Sequence, residues 1–198
     1  MTSGAGYRVM TQSAEETFAF GVELGRLVQA GDIIILTGDL GAGKTQLAKG
    51  IAQGLGITEP ITSPTFNLML VYKAADKTLQ HFDLYRLEAA EQLDDIDYFG
   101  CLESDAISLV EWGDKFSQAL PEDYLEVSLD LDLSGNAREL GLNGNARELD
   151  LGGAAELGEA TPPAPITTRN ITVRPFGIRA TQLKERLEAQ PNDPSSAS

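Results

Sequence analysis

The 198-residue chain is poor in several residue types that carry chemistry elsewhere, with one cysteine, one histidine and one tryptophan. The lone cysteine, Cys101, excludes an internal disulfide and cannot build a thiolate metal site by itself. No stretch is long and apolar enough to span a bilayer. Residues 1–9 lack the apolar centre of a secretory signal. Positive charge is also scarce: 15 Lys and Arg stand against 30 Asp and Glu, a formal net charge of −15. Nucleic-acid binding needs a basic footprint, so this chain alone is not expected to grip RNA or DNA over a wide face. The acidity is read as a solubility feature. Together these absences point to a reducing, cytoplasmic setting away from membranes.

What is present suffices for one ordinary core, at 42% hydrophobic residues. Residues 7–10 read as a short edge strand. Ser13-Ala14-Glu15-Glu16 has capping-box spacing. Phe18, Val22, Leu24, Leu27 and Val28 follow at helical intervals, with Gly31 expected to stop the helix. Ile33-Ile34-Ile35-Leu36 reads as a buried parallel strand, and residues 45–55 as a helix ended by Gly56. Residues 68–73 and 78–85 suggest a hairpin, and residues 89–98 a polar helical segment. Ile107-Ser108-Leu109-Val110 is a second buried strand, delivering Glu111 and Trp112. Residues 125–133 and 171–176 alternate like strands. Between them, residues 133–140 are nearly repeated at 142–149, too few copies for a solenoid. Residues 134–167 are therefore expected to be a flexible hairpin-loop insertion, with a partner-docking arm as the alternative. Residues 181–189 read as a last helix. Residues 191–198 are expected to be a disordered tail, leaving 1–190 as one domain.

The clearest chemical signal is Gly38-Asp39-Leu40-Gly41-Ala42-Gly43-Lys44-Thr45, which fills every fixed position of a phosphate-binding loop between a strand and a helix. Gly38, Gly41 and Gly43 let the backbone turn so that its N–H groups face a phosphate. Ala42 and Gln46 belong to the same nucleotide-contacting stretch. Lys44 supplies charge to the β- and γ-phosphates, and Thr45 a hydroxyl to Mg²⁺. Such a loop needs an acid at a neighbouring strand end to hold the metal and position water. Glu111 and Asp83 both qualify, where a single such acid would read as a solvated strand terminus. Ser63 and Thr65 lie in a rigid hydroxyl-rich loop, Thr62-Ser63-Pro64-Thr65-Phe66. That loop is either a γ-phosphate-sensing switch or a turn. His81 is expected to be a packed strand residue. Trp112 either caps the core or stacks on substrate.

Gly38 to Thr45, then Ser63-Pro64-Thr65-Phe66, then His81-Phe82-Asp83-Leu84-Tyr85-Arg86-Leu87, then Leu109-Val110-Glu111-Trp112 occur in an order and spacing that resemble the TsaE (YjeE) family. This is the ATPase of bacterial tRNA threonylcarbamoyladenosine synthesis. The resemblance covers roughly residues 11–115. It implies an α/β, P-loop NTPase-like three-layer fold, with a mixed central sheet flanked by helices. It implies ATP and Mg²⁺ as cofactors, slow ATP hydrolysis, and work with TsaD and TsaB, through which tRNA would be held. By the same resemblance Thr45 and Glu111 hold Mg²⁺, Asp83 serves hydrolysis, and residues 11–13 lie near the adenine. Arg86 is expected to meet a partner or a phosphate, or else a surface acid. Gln46 stands where members often carry a second Thr, and Gly113 where Pro often follows the Glu-Trp pair. The alternative reading is a small-molecule kinase on the same fold, which would need an arginine-bearing lid.

Overall fold

Ile33, Ile34, Ile35 and Leu36 are each at most 9% exposed. A β-branched apolar run of this kind can be buried on both faces only inside a parallel sheet covered by helices. The computed structural model describes residues 6–132 and 168–190. Along the chain run β1 (Tyr7–Thr11), α1 (Ala14–Leu27), β2 (Ile33–Thr37), α2 (Lys44–Gly54), β3 (Met69–Lys73) and β4 (Thr78–Asp83). A 3-10 segment (Ala90–Ile96), α3 (Tyr98–Leu102), β5 (Ile107–Glu111) and a second 3-10 segment (Gly113–Ala119) come next. The last elements are β6 (Tyr124–Leu131), β7 (Arg169–Phe176) and α4 (Ile178–Glu188).

The strands form one mixed sheet in the order β1-β7-β6-β2-β5-β4-β3. The central four, β6-β2-β5-β4, are parallel. The flanking pairs β1–β7, β6–β7 and β3–β4 are antiparallel. Alternation along β2 sends Ile34 and Leu36 into a cluster with α1, α2 and α4, and Ile33 and Ile35 into another with Phe82, Leu93, Tyr98 and Phe116. The result is a three-layer P-loop NTPase-like α/β fold. The expected insertion at 134–167 and tail at 191–198 lie outside the described residues. The strands bordering that insertion pair up to Leu131 opposite Arg169.

Several local expectations need correction. α1 ends at Leu27, not at Gly31, because Val28 turns to extended backbone (φ −69°, ψ 146°) and buries its side chain in the core. Gly31 instead makes the tight turn into β2, at φ +77°. The residues at 89–98 form 3-10 turns ending at Asp97, which adopts a left-handed conformation before α3. At the start of α1, Ser13 Oγ accepts from Glu16 N as a capping box requires, but Glu16 Oε2 accepts from Gln12 N rather than from Ser13 N.

The buried stripe of α1 also differs from the apolar one read from sequence. Phe18, Val22 and Leu27 are only partly covered, whereas Thr17, Phe20, Gly21, Leu24 and Gly25 are buried. The two glycines face Gly50 and Gly54 of α2. A β-carbon on Gly21 or Gly25 would overlap the Leu47 or Ile51 carbonyl oxygen, and one on Gly50 or Gly54 the Phe18 or Val22 carbonyl oxygen. The two backbones therefore touch directly, with small residues supplied by both helices.

This contact generates a stability prediction. Gly25→Ala and Gly50→Ala each add a methyl where neither helix can yield. Each is expected to destabilise by about 2–3 kcal/mol, although alanine is the better helix former by about 1 kcal/mol. Lys49→Ala, on the exposed side of α2, should change stability by less than about 0.5 kcal/mol. Urea unfolding of the three variants checks the contrast.

Candidate functional site

The loop between β2 and α2 is shaped by three glycines. Gly38, Gly41 and Gly43 have φ of +125°, +82° and +108°, where a β-carbon is strained. At Gly38 a side chain would also strike the Leu129 carbonyl, and at Gly43 it would come within 2.9 Å of Arg169 Nε. Around Gly41 nothing lies within 4 Å of a β-carbon position, so this part of the loop faces open space. Ala42 is buried, and its N–H donates to Asp39 O across the turn. α2 begins at Lys44, which aims the positive end of an 11-residue helix at the loop.

Lys44 is 5% exposed. Its Nζ donates to the carbonyls of Gly38 (2.6 Å) and Asp39 (2.9 Å) and lies 3.7 Å from the centre of the Trp112 ring. Burial pushes the ammonium below its ordinary range, and the carboxylates of Glu111, Asp83, Asp114 and Asp39 oppose that.

The acids come from β5, which lies beside β2, and from β4, the next strand out. Sheet register places Leu36 opposite Glu111, and Glu111 opposite Asp83. Both carboxylates thus emerge at the carboxyl end of the sheet, next to the loop. The Thr45 hydroxyl lies 3.2 and 3.3 Å from the two oxygens of Glu111. Asp83 Oδ2 accepts from Ser63 Oγ (2.7 Å) and Thr65 Oγ1 (2.6 Å), while Oδ1 accepts from Tyr85 N (3.0 Å). Glu111 and Asp83 are 2% and 3% exposed. Buried carboxylates at this depth depend on such donors. A cleft of about 410 Å³ joins these groups, lined by Gly41, Gly43, Lys44, Thr45, Gln46, Ser63, Thr65, Asp83 and Glu111, with Tyr85 and Trp112 at one wall.

Most of the residues singled out in the sequence therefore converge. Arg86 does not: it is exposed outside the cleft, its guanidinium 4.8 Å over the Phe66 ring. Thr11 and Ser13 do not line the cleft either. Thr11 shares a buried hydroxyl contact with Thr17, and Ser13 caps α1. Three contacts were not anticipated. His81 is packed as expected, but its Nε2 also lies 3.0 Å from Glu111 Oε1. The two-residue spacing of His81 and Asp83 on one strand was the available signal, since it puts both on one face. Trp112 packs against the second core cluster, as the core-capping reading expects, but it does so at φ +64° and also lies against Lys44 and Tyr85. Arg169, 127 residues beyond Ala42, donates from Nε to the Ala42 carbonyl at 3.0 Å, and nothing in the local sequence announces it.

A glycine loop joining the central parallel strand to a helix, with a lysine, a threonine and two strand-end acids around one cleft, defines a P-loop nucleotide-binding protein. The comparisons narrow the class. The family model for the threonylcarbamoyl adenosine biosynthesis protein TsaE matches residues 11–140. The chain is 42% identical over 129 residues to the tRNA threonylcarbamoyladenosine biosynthesis protein TsaE of Treponema pallidum, covering 65% of this chain and 95% of that one. It is 39% identical over 118 residues to the Bacillus subtilis protein of the same name, covering 59% and 73%. The crystal structure of Bacillus subtilis YdiB superposes with a TM-score of 0.64 at 26% identity, covering 95% of this chain and 97% of that one. The chain belongs to the TsaE family.

The Asp83 contacts can be weighed directly. A double-mutant cycle between Thr65→Ala and Asp83→Ala, followed by chemical denaturation, is expected to give a coupling energy of about 1.5 kcal/mol or more, as for hydrogen bonds to charged groups. The pair Arg86→Ala and Asp83→Ala should be additive within about 0.5 kcal/mol.

Proposed function

We propose that the chain binds ATP with Mg²⁺ and hydrolyses it as a subunit of the machinery that makes threonylcarbamoyladenosine in tRNA. In this reading it acts beside TsaD and TsaB, and tRNA is held through them. The observation that carries the reading is the meeting of the Thr45 hydroxyl with the Glu111 carboxylate, one strand from Asp83 and against the glycine loop. The curated relatives' names supply the tRNA modification. The chain's net charge of −15 fits a subunit that leaves RNA contact to others. Among the described residues no helix is long and apolar enough to cross a membrane, which suits the cytoplasmic setting this work requires.

The residues fit the proposed ligands. Gly41 leaves the space that a phosphate would take. Thr45 and Glu111 offer hard oxygen donors, and Mg²⁺ sites of this kind use one or two protein groups and complete the shell with phosphate and water. When bound, the metal supplies charge neutralisation at the phosphates. Backbone N–H groups of residues 41–45 and the start of α2 would cradle the phosphates, and Lys44 would add its charge to them. Asp83 would orient or deprotonate the attacking water. Its hydrogen bonds to Ser63 and Thr65 would pass any change in its protonation or position to that loop. Gln46 and Trp112 would border the nucleotide without entering the chemistry.

Reconstitution tests the whole reading. Purified protein should hydrolyse ATP slowly alone and faster with TsaD and TsaB present. Glu111→Ala and Thr45→Ala should each lower Mg²⁺-dependent turnover by at least about tenfold, and Lys44→Ala should abolish nucleotide binding. Turnover indifferent to both partners, or phosphate transfer to a small metabolite without them, would overturn the proposal in favour of a small-molecule kinase.

A further inference from the structure

His81 is fully buried in β4. Only one side of its ring has a partner: Nε2 lies 3.0 Å from Glu111 Oε1, while Nδ1 is buried with none. Among the described residues no other buried side-chain nitrogen or oxygen lacks a hydrogen bond. A buried polar atom left unpaired is costly, so a histidine with a single engaged nitrogen needs a reason at that nitrogen. An apolar residue of similar size would pack here without the orphaned atom.

Glu111 provides the reason. An ionised carboxylate only accepts hydrogen bonds, so Nε2 must carry the proton. The carboxylate then has two fixed neighbours, His81 below and the Thr45 hydroxyl beside it. His81 alternates with Asp83 on the same face of β4, and register sets it beside Leu109, two residues before Glu111. The donor therefore approaches from within the sheet, leaving the cleft side of Glu111 to Thr45 and the cleft itself.

We propose that His81 is a positioning residue that fixes the Glu111 carboxylate against Thr45 through a one-sided Nε2–H hydrogen bond, and so sets how tightly the site takes a divalent cation. The proposal rests on the magnesium–nucleotide reading of the site. Its mechanism is orientation: a carboxylate held by a second partner is presented to a metal in one rotamer, and losing such a partner typically weakens metal binding about 10–100-fold.

The ring's asymmetry makes the test specific. A glutamine side chain can place its amide nitrogen where Nε2 stands, whereas asparagine reaches only toward the Nδ1 side and leucine donates nothing. ADP affinity is measured by calorimetry over a series of Mg²⁺ concentrations and again in EDTA, without any turnover. His81→Asn and His81→Leu are expected to raise the Mg²⁺ concentration for half-maximal tightening of ADP by about 10–100-fold. His81→Gln should stay within about threefold of wild type, and metal-free ADP affinity should be unchanged in all. Because His81 is the only histidine, the imidazole ¹H–¹⁵N spectrum of untagged protein reads its tautomer directly, with the proton expected on Nε2.

A Mg²⁺ demand unchanged in His81→Leu would overturn the proposal. So would glutamine and asparagine variants that fail equally, a loss of the same size in EDTA, or a proton on Nδ1. If His81→Leu does not fold, the glutamine–asparagine contrast decides alone. The underlying reading fails differently: wild-type ADP affinity would not respond to Mg²⁺, or Glu111→Gln would leave the response intact, and the proposal would fall with it.

Discussion

The register of three parallel strands governs this molecule. β2, β5 and β4 align so that Leu36, Glu111 and Asp83 form one row across the sheet. Everything chemical follows from that row. The chain leaves β2 through the glycine loop one residue beyond it, at Gly38, and the two acids stand at the ends of the next strands. A register slip of one residue on β5 would turn Glu111 to the opposite face and replace it beside Thr45 with an apolar valine. The alternation of Ile33 to Leu36 between two separate clusters guards against such a slip.

The row positions the acids, but the loop's other wall is α2, and α2 is set by α1. Glycines at positions 21, 25, 50 and 54 bring the two helix backbones into direct contact, so neither helix can slide without a clash. Close backbone contact of this kind trades apolar side-chain burial for fixed geometry. It suits the helix that carries Lys44 and Thr45, whose side chains meet the loop carbonyls of Gly38 and Asp39 and the Glu111 carboxylate on β5.

Legibility in the sequence follows from whether a signal is local. The glycine loop, the buried strands Ile33–Leu36 and Ile107–Val110, and the acids that end β4 and β5 are local patterns, and the structure places them as read. The edge strand β1 and the β3–β4 hairpin were legible for the same reason. The buried stripe of α1 was not, because the reading counted apolar bulk while the helix packs through glycines, whose hydrophobic signal is weak. The end of α1 was missed because Val28 serves the core better in extended backbone than as one more helical residue. His81 was half legible: its spacing from Asp83 gave its face, but not the partner waiting on β5. Arg169 was not legible at all, since its contact with Ala42 exists only once β7 has paired with β1 and β6. Trp112 needed a left-handed backbone that no pattern in Glu111-Trp112-Gly113 foretells.

The electrostatics of the cleft bear on the proposed function. Among the described residues that line the cleft Lys44 is the one cation, and it sits among Glu111 and Asp83, with Asp39 and Asp114 near enough to act on it. Burial already disfavours its charge. A polyphosphate brought into such a place meets two buried carboxylates as well as one lysine and the helix end. Two like-charged groups a few ångströms apart in a partly dehydrated cleft repel by several kcal/mol at an effective dielectric constant of about 20. The helix terminus contributes only about 0.3–1 kcal/mol for a charge nearby. Lys44 offsets part of that repulsion, and a divalent cation held by Thr45 and Glu111 would supply further neutralising charge. On the proposed function, the two acids and the anion are reconciled when the anion arrives with its metal.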